Sequence, residues 1–148
     1  MILFVHMLFG AVIASYIKDP ILAVILAFLS HYLLDFIPHI EYSIKNITEK
    51  NWRNSLPDFL RVFLDFSFGI LLILFFSTKT PIIFIAVFFA MLPDGISLLS
   101  LATKNKILEN YNYLHQKRIH FFKYKKVSNF WRIINQVAVI VVFVLLLV

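Results

Sequence analysis

The chain has 148 residues, 61% of them hydrophobic, and a mean hydropathy of +0.86. A soluble domain sits near half apolar, so the composition excludes an ordinary soluble protein. The absence of cysteine excludes disulfides and thiolate metal sites, so any metal must take His and carboxylate ligands.

The apolar residues lie in long runs rather than in strands separated by turns. This predicts an all-α membrane protein with five transmembrane helices, a cytoplasmic interfacial loop region and one domain over residues 1–148. The first span is read at about 2–17, short for a crossing, closed by the turn signal Lys18-Asp19-Pro20. It lacks a charged leader region and a clear small-residue cleavage site, so it reads as a retained helix. The second span, 20–37, starts on Pro20, a good first-turn residue, and Pro38 marks its end. It closes in Ser30-His31-Tyr32-Leu33-Leu34-Asp35, which places an imidazole and a carboxylate on one helix face. His39 continues that spacing but follows Pro38, so a loop position stands beside a ligand role.

Residues 40–55 are polar, with Ile40, Ile44, Ile47 and Trp52 suggesting a short interfacial helix. The third span, 57–77, is capped by Ser55 in this reading and carries Asp58, Arg61 and Asp65 on one face. The fourth, 81–102, is expected to break at Leu92-Pro93-Asp94-Gly95, because Pro93 removes a backbone hydrogen bond. Residues 104–127 are basic and aromatic, and the fifth span is 128–148.

Five spans put Lys45, Lys50, Arg53, Lys104, Lys106, Lys117, Arg118, Lys123, Lys125 and Lys126 on one side and Lys18 and Lys79 on the other. That bias predicts an integral inner-membrane protein with a cytoplasmic N-terminus. It also accounts for the net charge of +6 without nucleic acid. Lys117 to Lys126, interleaved with Phe121, Phe122 and Tyr124, suits the anionic head groups of membrane lipids.

The same topology gathers all five histidines and most of the acidic residues on one side. His6, His31, Asp65 and Asp94 each fall roughly 8–12 Å below the cytoplasmic surface at 1.5 Å per residue. Buried ionisable groups in a membrane are costly and count as candidate functional residues. Imidazoles and carboxylates together are ligands for a divalent metal such as Zn or Mn, which would lower the pKa of bound water. A bridging Asp would hold two such ions. In this reading His6, His31, Asp35, Asp65 and Asp94 are ligands, Asp65 doubles as a catalytic carboxylate, and Arg61 clamps a phosphate. Plainer roles stand beside these. His31 and Asp35 would form a helix pair, Asp65 would pair with Arg61, Asp94 would be a turn residue, and His6 an interfacial histidine. His115 and His120 lie five apart, poor spacing for one helical face, so a solvated or lipid-facing role stands beside ligation.

Taken together, His6-x-x-x-Gly10, His31-x-x-x-Asp35, Leu92-Pro93-Asp94 and the later pair His115 and His120 resemble motifs of the predicted inner-membrane metal-dependent hydrolases, sometimes described as LexA-associated. The resemblance implies metal binding through His6, His31, Asp35, Asp94, His115 and His120. The chain departs from the family in three ways. A second acidic residue after the Pro-Asp is replaced within Gly95-Ile96-Ser97, the His115 to His120 segment lacks the family's Thr and Ser, and the motif order differs. The function expected is a membrane-embedded metal-dependent hydrolase of a lipid phosphoester or ester, with a homo-oligomer conceivable. Its rivals are a small proton or metal-ion channel or carrier, and a non-catalytic scaffold.

Overall fold

The computed structural model describes residues 1–119 and 127–148. The elements in order are α1 (Leu3–Tyr16), α2 (Pro20–Phe36), α3 (Lys45–Thr48), a 3₁₀ turn (Trp52–Asn54), α4 (Leu56–Phe76), α5 (Pro81–Ala102), α6 (Lys106–Leu114), a π-helical turn (His115–Ile119) and α7 (Asn129–Leu147). No strand occurs among the described residues.

Helix α1 is the axis of the bundle. It packs against α2, α4, α5 and α7, and Val5, His6, Met7, Leu8 and Ala11 on it are wholly buried. A helix that is apolar all round belongs inside other protein. Close approach is set by two glycines. A Cβ on Gly10 would lie 2.9 Å from Ala90 Cβ and 3.0 Å from the Ala86 carbonyl of α5. A Cβ on Gly69 of α4 would lie 2.7 Å from the Met7 sulfur. Small residues at such crossings let helix backbones meet.

Among the described residues, three helices are long and apolar enough to cross a membrane: α4, α5 and α7. The expectation of five spans is corrected accordingly. Helix α1 has 14 residues and α2 has 17, about 21 and 26 Å at 1.5 Å per residue, against about 30 Å of hydrocarbon. Helices α4 and α7 turn large apolar side chains outward, among them Phe63, Leu64, Phe75, Trp131 and Leu145.

Local signals hold in part. Asp19 caps α2, accepting from the Leu22 N–H at 2.9 Å, with Pro20 next to it. Helix α2 ends at Phe36, so His39 does leave the helix. Residues 40–55 yield only α3 and the 3₁₀ turn. Ser55 does not cap α4, since its hydroxyl donates to the Trp52 carbonyl at 2.7 Å. Helix α5 is not interrupted: it runs through Pro93 to Ala102. Packing of α5 on α1, α2 and α6 holds the helix across the position where proline removes one bond. The loop after α2 is anchored by α7: Gln136 accepts from the Ile40 N–H at 3.0 Å, and Arg132 donates to the His39 carbonyl at 3.3 Å.

Candidate metal centre

Gly10 of α1 meets Ala86 and Ala90 of α5, and α2 packs on both helices. This brings His6 from the start of α1, His31 and Asp35 from the last turns of α2, and Asp94 from the second half of α5 to one end of the bundle. The fourth contributor is less expected. No side chain of α6 is buried, yet His115, the first residue of the π-helical turn that follows it, is wholly buried. A π turn is wound to an i→i+5 bond and is frequent at functional sites. Here it directs an imidazole inward from an otherwise exposed segment.

His31, Asp35, Asp94 and His115 each offer one ligand atom, and these atoms all lie within 4.8 Å of one another. His31 Nε2 is 2.9 Å from Asp35 Oδ2, 3.2 Å from His115 Nε2 and 3.7 Å from Asp94 Oδ1. His115 Nε2 is 3.3 Å from the same Asp35 oxygen. Three of the four residues are fully buried, and Asp94 is partly exposed.

The outer hydrogen bonds decide which ring nitrogens face inward. His31 Nδ1 lies 2.8 Å from the Ala90 carbonyl. A carbonyl only accepts, so Nδ1 carries the proton, and in the neutral ring Nε2 presents a lone pair to Asp35. His115 Nδ1 is 2.8 Å from the Ser97 hydroxyl. If Nδ1 donates to Ser97, then His115 Nε2 is bare as well. If Ser97 donates instead, a single N–H must serve His31 Nε2 and Asp35 Oδ2 together. Either way, His31 Nε2, His115 Nε2 and Asp35 Oδ2 share at most one ring proton among them. A buried array of acceptors is stable only when a cation or a shared proton lies among them. Histidines held through Nδ1 with Nε2 free form the arrangement that orients metal ligands. The cluster therefore fits a metal ion.

His6 adds to it from the side. Its ring stacks on His31 with centroids 4.0 Å apart, and its Nε2 is 3.2 Å from Asp35 Oδ1. That contact lacks hydrogen-bond geometry, and neither ring nitrogen of this fully buried residue has a hydrogen-bond partner among the described residues. The Met1 amino group also pairs with Asp35 Oδ1. A cavity of about 920 Å³ opens next to the cluster between α4, α5 and the loop after α2. Its walls include Phe59, Phe63, Phe66, Phe88 and Leu92, while Asp94 and Ser97 give it a polar end.

Several expected site residues lie elsewhere. Asp65 accepts from the Leu3 N–H at 2.7 Å and the Phe4 N–H at 3.2 Å, which closes the N-terminus of α1, and it also bonds the Tyr42 hydroxyl. Burial first, and then the Asp65 carboxylate, hold the Tyr42 phenol above its ordinary range. Arg61 donates to Asp58 Oδ1 at 2.9 Å and to the Ser43 carbonyl at 2.8 Å. Asp58 in turn accepts from the Asn46 and Ile47 N–H groups. Neither the catalytic role read for Asp65 nor the phosphate clamp read for Arg61 belongs to this cluster, because backbone groups engage both residues. His39 bonds the Ile37 carbonyl at 2.6 Å and Glu41 at 2.9 Å, outside the cluster. His120 and the lipid-facing candidates Phe121 to Lys126 lie outside the described residues. Lys117 lies over the Tyr113 ring, 5.9 Å from its centre.

The sequence reading also passed over supporting residues. Ser97 sits three positions after Asp94, one helical turn on, so spacing alone could have joined them. Tyr32, next to His31, meets Tyr111 of α6 at 3.0 Å between hydroxyls. Tyr111 also reaches the Pro93 carbonyl at 3.4 Å. These bonds tie α6, and with it His115, to α2 and α5. Comparison with family models, with curated proteins and with solved structures gives no match.

Proposed function

We propose that this chain is a membrane-embedded, metal-dependent hydrolase acting on an ester or phosphoester of a lipid. The observation that carries the reading is the convergence of His31 Nε2, His115 Nε2, Asp35 and Asp94 beside an apolar cavity. Zn or Mn matches a donor set of imidazole and carboxylate. A divalent ion held there would acidify water and polarise the bond to be cleaved.

The residues of the chain supply the remainder. His31 and His115 are oriented through the Ala90 carbonyl and Ser97, which keeps their Nε2 atoms on the centre. Asp94, partly exposed, stands between the centre and the cavity. The phenylalanine-lined walls suit an acyl chain and would exclude water from it, with the scissile group at the polar end. The resemblance to predicted inner-membrane metal-dependent hydrolases agrees with this chemistry. The cluster end of the bundle carries Lys45, Lys50, Arg53, Lys104 and Lys106, against Lys18 and Lys79 at the other, which favours a cytoplasmic position for that end and an inner-membrane location. Beyond the cluster, Leu8, Ala11, Ile83 and Ala86 are buried and apolar. That favours a closed site over a conducting path.

The test is metal content and turnover together. The full chain, purified in detergent, should retain Zn or Mn and cleave p-nitrophenyl esters or bis(p-nitrophenyl) phosphate in micelles, and Asp94→Asn should lose turnover. A folded wild-type protein that takes up neither ion overturns the reading.

A further inference from the structure

The two oxygens of Asp35 face different partners. Oδ2 lies 2.9 Å from His31 Nε2 and 3.3 Å from His115 Nε2, inside the four-residue cluster. Oδ1 lies 3.2 Å from His6 Nε2. His6 stacks on His31 at an interplanar angle of 21° but is not one of the four residues whose ligand atoms lie within 4.8 Å of one another. His6 is fully buried and both its ring nitrogens lack a hydrogen-bond partner among the described residues. Leaving a buried donor or acceptor unsatisfied is unfavourable, so such a group calls for a ligand.

Resting on the metal-centre reading above, we infer that Asp35 bridges two cation positions and that His6 with Asp35 Oδ1 forms the second. His31, His115, Asp94 and Asp35 Oδ2 form the first. The second position has two protein ligands, His6 Nε2 and Asp35 Oδ1, so an ion there would complete its shell with water or substrate oxygens. An imidazole beside a carboxylate admits Mn²⁺. Paired ions in sites of this kind lie about 3.5–4 Å apart across a shared carboxylate. The Met1 amino group pairs with the same Oδ1, so it competes with the second ion for that oxygen and the second position should be the weaker of the two.

The experiment is a titration of the metal-stripped full chain with Mn²⁺, followed by metal analysis and electron paramagnetic resonance. The expected result is two Mn²⁺ per chain and an exchange-coupled spectrum. His6→Ala should hold one Mn²⁺ with an uncoupled six-line spectrum. One ion per chain in the wild type, unaltered by His6→Ala, overturns the second position and leaves the first intact. Two uncoupled ions also overturn it. No bound ion overturns this inference and the metal centre together. Where His6→Ala fails to fold, His6→Gln takes its place, and the wild-type spectrum decides by itself.

Discussion

Two groups of carboxylates occupy the same end of this bundle and have opposite uses. Asp58 and Asp65 of α4 accept from backbone N–H groups at the starts of α3 and α1. Asp35 and Asp94 instead face imidazole nitrogens. A helix N-terminus carries unpaired N–H groups and about half a positive charge. A carboxylate placed there is satisfied and offers little to a ligand. Asp35 pairs with the Met1 amino group through Oδ1, but its Oδ2 and Asp94 face imidazole nitrogens, an arrangement that suits a cation or a shared proton. The lesson is that the partner atom, rather than the presence of a buried acid, separates a structural carboxylate from a candidate ligand.

That contrast can be broken by substitution. Asp35→Ala should have the largest effect, lowering metal affinity by more than about a hundredfold, because removing a ligand should exceed the losses seen for outer-shell partners; isothermal titration with Zn²⁺ or Mn²⁺ reads it. Ser97→Ala should weaken the metal by about ten- to a hundredfold by freeing the His115 ring. An unchanged affinity would mean that Ser97 does not orient the ligand.

Asp65→Asn should behave differently, costing about 1–3 kcal/mol of stability with the metal content per folded chain unchanged. Thermal melts in detergent and metal analysis measure the two sides. If Asp65→Asn empties the site, the distinction between the two groups of carboxylates collapses. Tyr42→Phe should cost least, about 0.5–1.5 kcal/mol for its hydrogen bond to Asp65. It also sharpens the pH dependence. The folded chain holds the Tyr42 proton above the ordinary tyrosine range, and the unfolded chain releases it near pH 10. Stability is therefore full below that point and falls as the pH rises beyond it. The fall should be shallower in Tyr42→Phe.

Much of this organisation is legible in the sequence. Unbroken apolar runs dictate helices, since backbone groups among apolar side chains must satisfy one another. The turn at Lys18-Asp19-Pro20 and the stop before Pro38 follow from proline and capping chemistry. The pairing of His31 with Asp35 follows from the helical repeat, which stacks positions i and i+4.

Spacing along one element says nothing of what another element presents to it. Asp65 sits on the same face of α4 as Arg61 by count, yet two of its partners are amides more than sixty residues away. The inward turn of His115 depends on a π-helical turn that no periodicity signals. Helix α5 passes unbroken through Pro93 because neighbouring helices hold it.

The sequence by itself determined an all-helical, apolar bundle and placed its histidines and most of its acids toward one end, because helix formation and the position of a residue along a helix are local properties. Only the tertiary structure decided which of those groups meet. Contact between side chains from α1, α2, α5 and the π-helical turn depends on how closely and at what rotation the helices pack, and small residues such as Gly10, Ala86 and Ala90 govern that approach.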